Sequence, residues 1–409
     1  MSTPISRPFR PSVDIVIAAR NEAKMLAQCL ESLASQNYPR YLWRVVVVDN
    51  GSSDDTGKIA EQYGATVVRH EAPGAAAARN AGLAQGRSDL VAFLDAHCCV
   101  APSWLRLLAE RFDDPKVGGC QGETLSRSTN PRIQRYLEGS ALHSGKRVAE
   151  DSVSGKRSLF PWLLSGNSMY RRRAIQEAGG FNETLPACED VDLAWRVLLS
   201  GYQLSYEPEA FCVHYDCNSW TGFFRKSFRY GRGAAWLAKM YKEYGAGQKY
   251  RSSRVLTLSP QRSLSALYYD AGYRWQRLRI RLGLDHPAPL AAHTAGERLR
   301  SQFMWKEGLS LRISPQAVYW FTGDEAVVVH VSARRRLVLN GAATFIWRAL
   351  ANEHSREAIA VSMIEAYGIP AATAFADLDD FIAQAVENDV LIRRDAMAPD
   401  ATHVRMRSA

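Results

Sequence analysis

The chain has 409 residues, 46% of them hydrophobic and 23% charged, which is ordinary globular composition and enough length for two or three domains at a loose ~150 residues each. No stretch approaches the ~18 uninterrupted apolar residues of a membrane span, and residues 1–11 lack the apolar core of a signal peptide, so a cytoplasmic protein is expected. Seven cysteines with no CxxC pair and a net charge of +9 exclude a disulfide framework and a zinc ribbon and leave the charge to be explained by where it sits.

In chain order, residues 13–18 (VDIVIA) form a β-branched run, and apolar positions at Met25, Leu26, Cys29, Leu30 and Leu33 give the next segment helical spacing. Residues 44–48 (RVVVV) are too uniformly apolar to face water on either side, as in a buried parallel strand; Asp54 and Asp55 then cap a helix running to Tyr63. Residues 65–69 read as a third strand, 75–84 as a helix and 90–94 as a fourth strand. Strands alternating with helices predict a doubly wound α/β sheet with right-handed crossovers and a ligand site beyond the carboxyl ends of its strands.

Each strand ends in polar residues: Arg20, Asn21 and Glu22 after the first, Asp49, Asn50 and Gly51 after the second, Asp95 and His97 after the fourth. The run from Asp49 to Ser53 also suits a plain turn and helix cap. Asp95 and His97 are more specific, because a carboxylate and an imidazole two apart in an extended segment point the same way and suit manganese or magnesium. Such an ion neutralises a diphosphate leaving group. Cys98 and Cys99 read as small apolar side chains. Further on, Glu189-Asp190 opens a helix whose buried stripe is Val191, Ala194, Trp195 and Leu198; by itself the pair complements the helix dipole.

The runs VDIVIAARNEAKMLAQCLESL, VVVVDNGSSDDT, GAAAARNAGL, VAFLDAH, LLSGNSMYRRRAI and EDVDLAWRVLLSGY, in that order over about residues 13–214, resemble a family 2 glycosyltransferase of GT-A fold. The resemblance implies a nucleotide-diphosphate sugar donor, UDP-linked in the expected case, and inversion at the anomeric carbon. By motif position it implies that Asp49 bonds the base and Arg79 the base or phosphates. Ala19, Arg20, Glu22, Gly51, Gly166 and Asn167 complete the donor site with Asp95. Asp95 and His97 take the place of the family's DxD metal motif, departing from it in the histidine, and His214 resembles a late histidine that completes the metal or diphosphate site. Asp190 is then the base, with Glu189 supporting it or touching the acceptor. An inverting transfer needs an acidic side chain from a separate segment, which agrees. Arg171, Arg172 and Arg173 are candidates to reach phosphate.

The charge is concentrated at residues 225–300, with 16 Lys+Arg against 4 Asp+Glu. Nothing there resembles a DNA-reading head or an aromatic-basic RNA platform, so no nucleic-acid partner is expected. Prolines 260, 287 and 289 break the segment, which reads as short helices and a linker, with at most weak peripheral contact at the inner membrane face through 225–300. Three short strands follow at 317–321, 326–331 and 335–339. Asn340 caps a helix carrying Ile346, Trp347 and Leu350, and amphipathic helices run to about Tyr367 and over 371–388. LVLNGAATFIWRAL followed by YGIPAATAFADLDDFIAQAVENDVLI resembles the PqqD-like peptide-recognition domains over about residues 312–394. That resemblance implies a leader peptide added as a strand beside 335–339 and lying on the last helix, with Arg334, Arg335 and Arg336 attracting acidic residues.

The expected organisation is a GT-A domain at 1–240, a basic helical linker at 241–310, a small α+β winged-helix-like domain at 311–395 and a tail at 396–409. The expected function is metal-dependent, inverting transfer of a sugar to a ribosomally made precursor peptide. Two rivals use the same residues: transfer to a lipid-linked or cell-surface glycan with an accessory C-terminal domain, and an inactive transferase that only escorts a peptide.

Overall fold

The computed structural model describes residues 10–138, 160–216, 218–244, 260–285, 311–322 and 325–393. The chain forms two compact units, Met1–Ala292 and His293–Ala409.

In the first unit, strands β1 (Val13–Ala19), β2 (Trp43–Asp49), β3 (Thr66–Arg69), β4 (Leu90–Asp95), β5 (Cys98–Val100), β6 (Val117–Arg127), β7 (Asn167–Arg171) and β8 (Gln203–Tyr215) form one sheet in the order β3-β2-β1-β4-β7-β6-β8-β5. Strands β1 to β4 run parallel, and β7 turns the sheet antiparallel on both its edges. This is the α/β GT-A architecture expected. The parallel half is apolar on both faces because helices cover both. Val13, Ile15 and Ile17 face one cluster and Val16, Val46 and Val48 the other, all essentially without exposure.

Helices α1 (Ala23–Ala34), α2 (Thr56–Gln62), α3 (Ala75–Ala84), α4 (Trp104–Glu110), α5 (Pro131–Glu138), α6 (Arg172–Glu177) and α7 (Glu189–Leu199) fill the connections. Gly82 lets α3 lie flat on the sheet, since a Cβ there would press on Val16 and Val48. Asp54 does not cap α2 as a lone N-cap residue. It braces two helix starts, its Oδ2 accepting from Ala23 N and its Oδ1 from Thr56 N.

Arg171, Arg172 and Arg173 do not reach a phosphate site. Leu90 is in register with Arg171 and Leu94 with Asn167, so antiparallel β7 carries the arginines to the end of β4 away from Asp95. There Arg172 pairs with buried Asp14, Arg171 bonds the carbonyls of Phe112 and Val117, and Arg173 pairs with Glu177.

Beyond the sheet, α8 (Trp220–Met240) and α9 (Pro260–Arg281) form a helical pair. Of the segment expected to form short helices and a linker, the described part holds one helix of 22 residues, with Pro260 at its first position, where a proline costs no hydrogen bond; residues 245–259 and 286–310 lie outside the described residues. Pro287, Pro289 and the tail at 396–409 lie outside the described residues. No described helix is long and apolar enough to cross a membrane.

The second unit holds the meander β10 (Ala317–Thr322), β11 (Glu325–His330) and β12 (Arg335–Leu339), then α10 (Gly341–Ala351), α11 (Arg356–Tyr367) and α12 (Ala371–Glu387). These are the three strands and three helices expected. A two-stranded ribbon of β9 (Leu311–Ile313) and β13 (Leu391–Arg393) was not anticipated. Asn340 caps α10 as expected, its side chain accepting from Ala343 N at 3.0 Å. Trp347, Ile359, Leu378 and Ile382 form the core with Val328. β12 is an edge strand.

Candidate active site

Parallel register fixes one wall of the site. Ala19 is opposite Asp49, and Ala18 lies between Val48 and Asp95, so the polar strand ends converge at one edge of the sheet. Asp49 holds its turn by accepting from Ser52 N at 2.9 Å, with Gly51 at φ +70. Asn50 bonds the carbonyls of His70 and Ala72. Ala19 is buried, and Arg20 and Gly51 are exposed beside it.

His97 lies in a turn between β4 and β5, not in an extended segment. It faces the site because β5 pairs with β8, Cys98 in register with His214. His97 Nε2 is 3.1 Å from His214 Nε2, and His214 Nε2 is 3.7 Å from Asp95 Oδ2. One ligand atom from each of Asp95, His97 and His214 falls within 4.8 Å of the others. Each imidazole has a carboxylate behind it: Glu22 at 3.3 Å from His97 Nδ1, and buried Asp216 at 3.7 Å from His214 Nδ1, itself paired with Lys226 at 2.7 Å. Two imidazoles and a carboxylate, with acids orienting the rings, are a donor set that fits a divalent transition metal. Glu22 therefore stands behind the His97 ring, at the same strand end as the other candidate donor residues.

Arg79 ties this cluster to the opposite wall. Only 7% exposed, it donates from Nη2 to Asp95 Oδ1 at 3.0 Å and from Nη1 to Glu189 Oε1 at 2.8 Å. Burial disfavours its charge, but Asp95, Glu189 and Asp190 outweigh that and raise its pKa. Asp95 is likewise disfavoured by burial, yet Arg79, His97 and His214 hold its carboxyl down at about 2. Asp190 goes the other way: burial and then the neighbouring Glu189 push it up to about 6, against Arg79 and the amides of Ser165 and Val191. A carboxylate in that range can take and return a proton near neutral pH.

Gly166 is closed in on Asp95, since a Cβ there would stand 2.6 Å from Asp95 Oδ2. Asn167 is fully buried, accepting from Trp104 Nε1 and donating to Glu123 O, so its amide is spent inside the sheet and not offered to a donor. Asp216 and Lys226 carried no motif and were missed; two residues after His214, Asp216 was within reach of a search for orienting acids.

Residues 14–179 match the family model described as glycosyl transferase family 2, and residues 325–391 that described as coenzyme PQQ synthesis protein D. The chain carries a family 2 glycosyltransferase domain followed by a PqqD domain. It is 36% identical over 247 residues to the pre-mycofactocin glycosyltransferase of Mycobacterium tuberculosis, covering 58% of this chain and 49% of that protein. It is 27% identical over 231 residues to the glycosyltransferase AglE of Haloferax volcanii, covering 54% and 73%. The chain thus spans about half the length of the first of these relatives. Among solved structures, a mannosyltransferase from Pyrobaculum calidifontis in complex with GDP-Man and Mn2+ is similar at 20% identity and a TM-score of 0.45, covering 72% of this chain and 81% of that one.

Proposed function

We propose that this chain moves a sugar, with inversion, from a nucleotide-diphosphate sugar, UDP-linked in the expected case, to a ribosomally made precursor peptide. The observation that carries the reading is one chain joining a glycosyltransferase domain to a PqqD domain. The name of the mycobacterial relative supports it.

In this reading Asp190 is the base. Ionised, it accepts the proton of an acceptor hydroxyl; that oxygen forms the new bond to the anomeric carbon from the face opposite the diphosphate, and the bond to the diphosphate oxygen breaks. The Ser165 amide orients Asp190, and Arg79 holds Glu189 away from the proton-accepting role by pairing with it. Asp95, His97 and His214 would hold a divalent cation, manganese rather than magnesium given two nitrogen ligands, which would neutralise diphosphate charge when bound. Asp49, with Ala19, Arg20 and Gly51, borders the donor. The leader peptide adds to the free edge of β12 (Arg335–Leu339) beside α12.

The test incubates the full chain with manganese, candidate UDP-sugars and short peptides encoded beside its gene, and reads peptide mass. A hexose-sized increment that Asp190→Asn abolishes and Asp95→Ala weakens through donor binding supports the reading. Turnover on a lipid-linked acceptor with no peptide modified overturns it.

A further inference from the structure

Helix α9 is built inside out. Its contact with α8 is close and in large part polar: Ser265 Oγ is 2.8 Å from Ser227 Oγ, Arg232 Nε donates to Gln276 Oε1 at 2.9 Å, Gly231 and Gly272 let the two backbones touch, since a Cβ at either would strike the Tyr269 or Phe228 carbonyl of the facing helix, and at one edge Tyr268 stacks on Phe224 at 5.0 Å between ring centroids. The side turned to solvent is apolar. Leu267, Trp275, Leu278 and Leu282, spaced along one face, are 67%, 50%, 48% and 63% exposed, and Leu264 and Tyr268 extend the stripe toward the N-terminus. A surface helix normally shows the reverse. Such a contiguous apolar stripe marks an interaction surface.

Charge decides what covers it. Arg274, Arg277 and Arg281 are exposed along the stripe. The acids of this helix stretch are Asp270 and Asp285, and Asp285 is already paired with Arg279 and Gln276. A second copy docking face to face would bring arginines onto arginines. An anionic bilayer surface instead offers headgroups to the guanidinium groups and acyl boundary to the leucines, with Trp275 suited to the boundary itself.

We infer that the outward face of α9 is an interfacial membrane-binding surface selective for anionic lipid. It lies in the plane of the membrane without spanning it, its apolar side chains reaching only the headgroup boundary.

The experiment is co-sedimentation of the full chain with vesicles of phosphatidylcholine alone and of phosphatidylcholine mixed with phosphatidylglycerol. Binding is expected only to the mixed vesicles, weakening as salt screens the arginines. Each of Arg274→Glu, Arg277→Glu and Arg281→Glu is expected to lower the partition coefficient about fivefold or more, from the loss of one surface-bound cation. Leu278→Glu combined with Leu267→Glu removes the apolar half and is expected to abolish binding, with an unchanged circular dichroism spectrum because both positions are solvent-facing. Equal binding to neutral vesicles, or mixed-vesicle binding indifferent to these variants, overturns the proposal. So does a lipid-independent dimer that Leu278→Glu dissociates, which would make a second copy the occupant.

Discussion

Two carboxylates of the cleft titrate in opposite directions although burial acts on both alike. Asp95 has Arg79 and two histidines around it and stays near 2, whereas Asp190 has Glu189 as its neighbour and rises to about 6. Because a raised carboxyl pKa means the basic form exists only above it, transfer is expected to fall about tenfold per pH unit below about 6, in a pH profile of kcat/KM. Asp190→Asn is expected to lower kcat by about 10²–10⁴ while calorimetry shows donor binding little changed. Arg79 lowers the Asp190 pKa, so Arg79→Ala moves the acid limb of that profile to higher pH. It also strands two carboxylates, at a cost of about 3–5 kcal/mol in denaturant unfolding. Arg79→Lys keeps a charge and is expected to keep the limb near its original place, which separates the electrostatic role from the structural one.

At the scale of elements, what could be read from the sequence was whatever had local period. β1, α1, β2, α2, β3, α3 and β4 follow apolar runs and helical spacing and lie within a residue or two of their expected bounds. The antiparallel half did not announce itself. β6 contains Gly118, Gly119 and Gly122, poor strand formers that are needed because Cβ atoms there would collide with Tyr202, Leu163 and Ala210. β5, β9 and β13 have three residues each, too few for any pattern. In the site, Asp95, His97, His214 and Asp190 were legible as motif positions. The Arg79–Glu189 pair spans 110 residues and could not be, since only the finished fold brings α3 to the start of α7. Asn167 was misjudged for a related reason: an amide beside a glycine turn suits ligand or core equally, and Trp104 claims it. Asn340→Ala removes the α10 cap and is expected to cost about 1 kcal/mol in thermal unfolding. Val338, 53% exposed on the free edge strand, is the test of strand addition. Val338→Asp is expected to weaken leader-peptide binding to the full chain about tenfold or more in fluorescence anisotropy, with donor binding unaffected.

For the whole molecule, the proposed function places a transferase unit and a PqqD unit on one chain, which would make acceptor delivery a matter of effective concentration. Steady-state kinetics on a peptide stripped of its leader are expected to show KM raised about a hundredfold or more with kcat nearly kept. A drop in kcat instead would mean that the leader acts on the catalytic cleft itself. The two units differ in charge as well: the excess of basic residues at 225–300 adjoins a segment, 311–394, with 8 Lys+Arg against 10 Asp+Glu. Salt is therefore expected to separate membrane partition, which it weakens, from folding of the C-terminal core, which rests on burial.

The placement of β5 governs the order in which this molecule can be made. Cys98–Val100 leaves the ribosome directly after β4, yet its partner in the sheet is β8 and not β4. Until residues 212–214 are synthesised, more than a hundred positions later, the nascent chain carries an unpartnered strand of Cys98, Cys99 and Val100 next to His97. The cleft is thus closed by the last strand of its sheet, and a chain interrupted before that point holds Asp95 without His214. Assembly of the Asp95–His97–His214 cluster is in this sense a checkpoint on completed translation of the domain, and the interval before it is when the exposed thiols most need a chaperone's cover.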